Sequence, residues 1–276
     1  MNKIYLDCSS GISGDMTVAA LLDLGADEQV LMKALDSIKA EGFTIAISKV
    51  SKSGLQCTDF DVVLDAEHDG HDHDMEYLYG HYNDGHDHHH DHETHDGHGH
   101  NHHTHHAHRG MAEINAILDV IDMTKHAREL ADRIFAILAQ AESKAHGVPV
   151  DQVHFHEVGA IDSIVDIVAA AVCLDNLNPG QVLVSGLTEG TGTVRCQHGI
   201  LPVPVPAVAN IVAEYGIPMT IIDTRGELVT PTGAAIVAAV ATIGRLPAES
   251  TIGRIGMGAG KRDYGLAGFV RAMEIL

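Results

Sequence analysis

Tryptophan is absent from this chain, and the other aromatic residues are few, six Tyr and five Phe. The interior must therefore be filled by the abundant Ala, Val, Ile and Leu, which suits tightly packed α/β layers. Cysteine is scarce as well. Cys8, Cys57, Cys173 and Cys196 lie far apart with no C-x-x-C pair. That argues against a structural zinc knuckle or a disulfide scaffold and fits a reducing compartment. Long apolar runs are missing: the stretch from Ile164 to Leu174 is broken by Asp166 and is too short to span a bilayer. The start, Lys3-Ile4-Tyr5-Leu6-Asp7, has neither the charged head nor the long apolar stretch of a secretory leader, so a cytoplasmic protein is expected. Positive charge is the last shortage. With 17 basic against 38 acidic residues the formal charge is −21, which argues against nucleic acid and for cations as partners.

Histidine is the residue in excess. Of 22 in the chain, 17 fall between His68 and His108, interleaved with Asp69, Asp72, Asp74, Asp84, Asp87, Asp91 and Asp96. Neutral imidazole suits Ni, Zn, Cu and Co, and carboxylates add oxygen donors and negative charge. His86, His88, His89, His90, His92, His102, His103, His105 and His106 are the candidate ligands in this stretch. Mild acidification would protonate them and turn the stretch positive. Almost no apolar side chains occur there, so residues 67–109 are expected to be a disordered, metal-binding insert. An expression tag is terminal and regular, and this tract is neither. The insert separates an N-terminal α/β part, 1–66, from a second, 110–276. Without it about 235 residues remain, enough for the two parts to pack as one globular unit.

Spacing and punctuation predict the elements. A strand over Lys3–Asp7 leads through a small-residue turn to a helix over Asp15–Leu24. A second helix is expected over Asp27–Ala40, ended by Gly42. Phe43–Val50 and Leu55–Leu64 alternate apolar and polar residues around Ser51-Lys52-Ser53-Gly54, the pattern of an antiparallel hairpin. Helical spacing recurs over Met111–Ile121, Thr124–His146, Ala160–Leu174, Ala207–Glu214 and Thr232–Ala241, with Pro231 at the start of the last. Gln181–Leu187, Leu201–Pro206 and Phe269–Ile275 read as strands. The class is α/β (α+β), a mixed sheet with packed helices. A chain that stops in mid-strand is expected to be the front half of something longer.

Three places carry candidate chemistry. In His154-Phe155-His156-Glu157, period-two spacing on an extended segment puts both imidazoles on one face. Asp162 and Asp166, four apart on the following helix, share a face too. Together they form a candidate divalent-metal site; the plainer alternative is a polar helix start with two partly exposed histidines. Asp7-Cys8-Ser9-Ser10-Gly11-Ile12-Ser13-Gly14-Asp15 joins a strand to a helix, where backbone N–H groups with Ser9, Ser10 and Ser13 could hold a phosphate. Asp7 and Asp15 would repel a bare anion, so a metal-bridged phosphate or a carboxylate-bound cation fits better. A tight turn capped by Ser13 or Asp15 is the alternative. Gly256-Met257-Gly258-Ala259-Gly260-Lys261 fails the P-loop spacing, because Ile255 occupies the first glycine position and Arg262 follows the lysine. Lys261 and Arg262 remain candidate anion contacts. Arg195 is a weaker one, and His198 a possible acid/base group or ligand. Thr230-Pro231-Thr232-Gly233 reads as a capped helix start beside the same cleft.

With Asp7 to Met16, His154 to Ser163, Gly192 to Pro206, Leu228 to Ala235 and Gly258 to Asp263, the chain resembles the LarC family of nickel-insertion proteins along nearly its whole length. The resemblance implies insertion of Ni(II) into pyridinium-3,5-bisthiocarboxylic acid mononucleotide, with two Ni–S bonds and one Ni–C bond formed. The product is the cofactor of lactate racemase. It also implies CTP with Mn or Mg, bound in a C-terminal domain that this chain lacks, so the fragment's activity without that domain is left open. Implied partners are the mononucleotide, that C-terminal domain, and lactate racemase or the upstream biosynthetic proteins; an oligomer is left open. Forming the Ni–C bond requires loss of a ring proton, for which His154, His156 and Glu157 are candidate catalytic groups. Two rivals stand beside this reading: a non-enzymatic nickel store or chaperone, and a metal-dependent phosphohydrolase built on Asp7, Asp15 and the His154 cluster.

Overall fold

The computed structural model describes residues 2–40, 42–65, 78, 109–155, 160–244, 246 and 248–276. Apart from residues 78 and 109, the expected histidine-rich insert lies outside them, and so do His156 and Glu157. The described residues form a mixed α/β fold of ten strands and seven α-helices.

Eight strands make one sheet. They are β1 (Lys3–Cys8), β2 (Phe43–Lys52), β3 (Leu55–Leu64), β4 (Gln181–Thr191), β7 (Met219–Arg225), β8 (Ala241–Ile243), β9 (Ile252–Ala259) and β10 (Phe269–Ile275). The order is β2-β3-β9-β10-β1-β4-β7, and β8 pairs with the first half of β4. Strands from both sides of the histidine-rich stretch thus share one sheet. β1 runs antiparallel to β10 and parallel to β4. The β2–β3 hairpin closes as the alternation predicts. Ser53 and Gly54 both take positive φ, 51° and 77°, as a two-residue turn between right-twisted strands requires. β5 (Thr193–Cys196) and β6 (Gly199–Pro202) form a separate ribbon.

The helices are α1 (Gly14–Leu24), α2 (Glu28–Leu35), α3 (Met111–Leu118), α4 (Lys125–His146), α5 (Ile161–Leu177), α6 (Pro206–Tyr215) and α7 (Pro231–Val240). Leu6, Ile12, Leu21, Phe60, Phe135, Ile164 and Val168, all buried, belong to one continuous core. α5 is buried nearly all round from Ile161 to Leu174, which explains a helix whose apolar residues do not keep to one stripe. It packs on α1, α2, α4 and α7. Thr124 caps α4 through its hydroxyl, and Gly147 ends it in the left-handed region.

Several expectations change. The strand expected over Leu201–Pro206 runs from Gly199 to Pro202, and Pro206 already begins α6. The second helix ends at Leu35, short of Ala40, because the hydroxyl and N–H of Ser37 both bond the Ala34 carbonyl and tighten the chain. Residues 256–259, to which the sequence assigns no element beyond failing the P-loop spacing, belong to the interior strand β9. A Cβ on Gly256 would lie 2.2 Å from the Ala20 carbonyl oxygen, and one on Gly258 2.0 Å from that of Met16. These glycines let α1 lie directly on the sheet.

Candidate functional site

Three helices begin at one cleft. Its walls are Ser13 to Met16 at the head of α1, Asp162, Ser163 and Asp166 at the head of α5, and Thr230 to Thr232 at the head of α7. Ser10, residues 60–62 of β3, Glu227, Leu228, Lys261, Arg262 and Tyr264 complete it. The cavity is about 160 Å³. Each helix start carries partial positive charge from its first N–H groups, so their convergence favours anions.

The turn before α1 is held in place by backbone. The Ile12 N–H donates to the Leu228 carbonyl at 2.9 Å and the Thr230 N–H to the Ile12 carbonyl at 3.0 Å. Gly11, at φ 88°, sits so close to Leu228 that a Cβ would meet its carbonyl oxygen at 2.1 Å. Glu189 of β4 anchors the other side. Its Oε1 accepts the N–H groups of Leu228 (2.7 Å), Gly190 (2.8 Å) and Val229 (3.3 Å). Burial pushes its carboxyl up to about 7 against those hydrogen bonds, and Glu227 adds to the rise.

Acids and bases face each other within the cleft. Asp166 is half-buried in the cleft wall, and one of its carboxylate oxygens is shut off from solvent and lacks any hydrogen-bond partner. Burial first, then the charges of Asp15 and Asp162, raise its carboxyl well above the usual carboxylate range. The Asp15 N–H and the Lys261 charge act the other way. A Cβ on Gly14 would lie 2.5 Å from Asp166, so glycine is what admits the carboxylate to the head of α1. Ser13 directs its hydroxyl to Asp15 and makes no capping bond. Lys261 Nζ lies 2.6 Å from Asp59 and 3.4 Å from Asp61. Arg262 pairs with Glu227 at 2.8 Å, and the Tyr264 hydroxyl donates to the Glu227 carbonyl at 2.9 Å.

Of the residues singled out from sequence, Ser10, Ser13, Asp15, Asp162, Asp166, Lys261 and Arg262 line this cleft. Asp7, Ser9 and His154 do not. Asp7 takes Arg271 at 2.6 Å and the Ser9 hydroxyl. Burial opposes its ionisation, but those two partners outweigh burial and hold its carboxyl below the ordinary value. His154 is exposed on the segment before α5. His156, Glu157, His86, His88, His89, His90, His92, His102, His103, His105 and His106 lie outside the described residues. Among the described residues no three His, Cys, Asp or Glu side chains are already gathered to hold a metal ion. Glu189, Glu227 and Tyr264 had no local signal in the sequence. Asp59 and Asp61 had one, the period-two spacing on β3 that puts both on one face.

These features define an α/β protein whose cleft sets anion-favouring helix ends and two cationic side chains against a group of carboxylates. The chain belongs to the nickel insertion protein family, whose profile matches residues 4–274. It is 52% identical over 274 residues to a protein of Alkaliphilus metalliredigens named pyridinium-3,5-bisthiocarboxylic acid mononucleotide nickel insertion protein, covering 99% of this chain and 60% of that one. Proteins of the same name from Acetivibrio thermocellus and Geobacillus kaustophilus are each 39% identical, over 96% and 95% of this chain and 58% and 57% of theirs. The chain thus spans about three-fifths of the length of these curated relatives. No solved structure matches it. Among the described residues, no helix is long and apolar enough to cross a membrane.

Proposed function

We propose that this chain takes part in inserting Ni(II), as a substrate, into pyridinium-3,5-bisthiocarboxylic acid mononucleotide, giving the nickel-pincer cofactor of lactate racemase. The observation that carries the reading is the juxtaposition in the cleft of three helix N-termini, Lys261 and Arg262 with Asp15, Asp162 and Asp166. A mononucleotide needs an anion-binding surface for its phosphate, and a divalent ion needs carboxylate oxygen. One cleft offering both suits a reaction that brings the two together. The relatives' names point to the same chemistry.

In this scheme the N–H groups at the heads of α1, α5 and α7, with Ser10 and Ser13, orient the mononucleotide. Lys261 and Arg262, already tied to Asp59 and Glu227, hold its charge without large movement. The carboxylates receive Ni(II) beside the ring. Formation of the Ni–C bond releases the ring proton, and one of these carboxylates is the group to take it. The histidines of 68–108, with His156 and Glu157, enter on ligand chemistry alone, as gatherers of Ni(II). CTP with Mn or Mg is assigned to the part of the longer relatives that this chain does not span.

The test is product formation from Ni(II), the mononucleotide and CTP with Mn or Mg, read by mass and by reactivation of lactate racemase. The same substitutions carried in a full-length relative provide the control for the remaining two-fifths. Asp162→Asn with Asp166→Asn is expected to lower the rate by about 100-fold or more. A double variant that forms product at the parent's rate overturns the reading.

A further inference from the structure

Outside the cleft, two elements set two pairs of metal-type donors side by side. The C-terminal turn of α4 carries Glu142 and His146, four apart and hence on one face of the helix. Against them stands the tight turn of the β5–β6 ribbon, closed by the Cys196–Gly199 pair, which presents Cys196 and His198. None of the four lines the cleft. The separations are His146 Nε2 to Glu142 Oε2 3.4 Å, Cys196 Sγ to His198 Nδ1 4.0 Å, and 4.9 Å between the His146 and His198 ring centroids.

These separations are close to those of ligands around an ion. Donor atoms spread tetrahedrally at bond lengths of about 2.0–2.3 Å stand roughly 3.3–3.8 Å apart, and two imidazoles bound through nitrogen have centroids about 5 Å apart. Electrostatics agree. A helix C-terminus carries partial negative charge, and His146 is in the last turn of α4. The pattern, a β-hairpin Cys-x-His opposed by a helical Glu-x-x-x-His, supplies one thiolate, two imidazoles and one carboxylate.

We propose that Cys196, His198, His146 and Glu142 form a site for one borderline divalent cation such as Ni(II), separate from the cleft and from the histidine-rich stretch. Because no three donors are gathered on one point beforehand, the ion completes the arrangement by side-chain movement. The Cys196 thiol gives up its proton to become the thiolate ligand, and no oxidation or reduction is involved.

The thiolate makes the site readable in the intact chain. The 68–108 stretch contains no cysteine, and Cys8, Cys57 and Cys173 are buried. Titration of the full chain with Co(II) or Ni(II) alone is expected to give a thiolate-to-metal charge-transfer absorption whose final intensity corresponds to one ion per chain, whatever the excess taken up by the histidine-rich stretch. The same ion is expected to protect Cys196 of the unmutated chain from alkylation. Cys196→Ser should abolish the absorption while keeping the parent's far-UV circular dichroism. His198→Ala and His146→Ala should each weaken the affinity read from it by about tenfold or more. Absence of the absorption, its survival in Cys196→Ser, unchanged affinity in both histidine variants, or no protection from alkylation would each overturn the proposal.

Discussion

Glu189 should make the fold less stable as pH rises through neutrality, and Glu189→Gln should remove that dependence. Glu189 is fully buried, and its carboxyl is pushed from 4.5 up to about 7. A rise of that size corresponds to roughly 3 kcal/mol of difference between the two protonation states. Below pH 4.5 both the folded and the unfolded chain hold the proton, so the neutral carboxyl's contribution is fully present. Between 4.5 and 7 the unfolded chain releases its proton first, the folded state binds more protons, and stability falls. Above 7 Glu189 is ionised in both states, and the fold carries the whole cost of a buried charge. Glutamine keeps the carbonyl oxygen that accepts the Leu228, Gly190 and Val229 N–H groups and never ionises. The variant's stability relative to the parent is therefore expected to grow by about 3 kcal/mol from pH 4.5 to pH 8. Urea unfolding of both proteins across that range measures it, and the many histidines cancel in the difference. A gap that stays flat, or shrinks as pH rises, would refute the reasoning.

Two further outcomes are expected. Gly258→Ala would set a methyl group 2.0 Å from the Met16 carbonyl oxygen and lift α1 from the sheet. A loss of about 3 kcal/mol follows, some 6–12 °C in Tm by calorimetry, and an unchanged Tm would show that α1 does not lie so close. Lys261→Met removes the cation between Asp59 and Asp61. Affinity for the anionic mononucleotide should fall about tenfold at low salt and less at high salt, and calorimetry showing equal affinity would remove Lys261 from the anion contacts.

Local patterns carried much of the fold. The alternation of β2 and β3, the caps of α4 and the apolar run of α5 are all consequences of near neighbours in the chain, and all are found. The strand β9 was illegible because Ile252 to Ala259 includes three glycines, which favour strands poorly on their own. Their role appears only when α1 is laid on them. The second helix was overestimated because its end is decided by the Ser37 hydroxyl competing for a backbone carbonyl, which spacing does not reveal.

For the site, the division is sharper. Sequence alone determined the chemistry available: a surplus of imidazole and carboxylate, two adjacent cations after a glycine run, and small-residue turns before helices. Those are properties of composition and spacing, and they survive in any fold. Only the tertiary structure decided which of these groups meet. Asp15, Asp162 and Asp166 share a cleft with Lys261, whereas Asp7 is tied to Arg271 and His154 faces outward. The reason is that convergence depends on how α1, α5 and α7 begin at one end of a sheet. That is set by packing between residues over two hundred positions apart, such as Met16 against Gly258, and no local pattern encodes it.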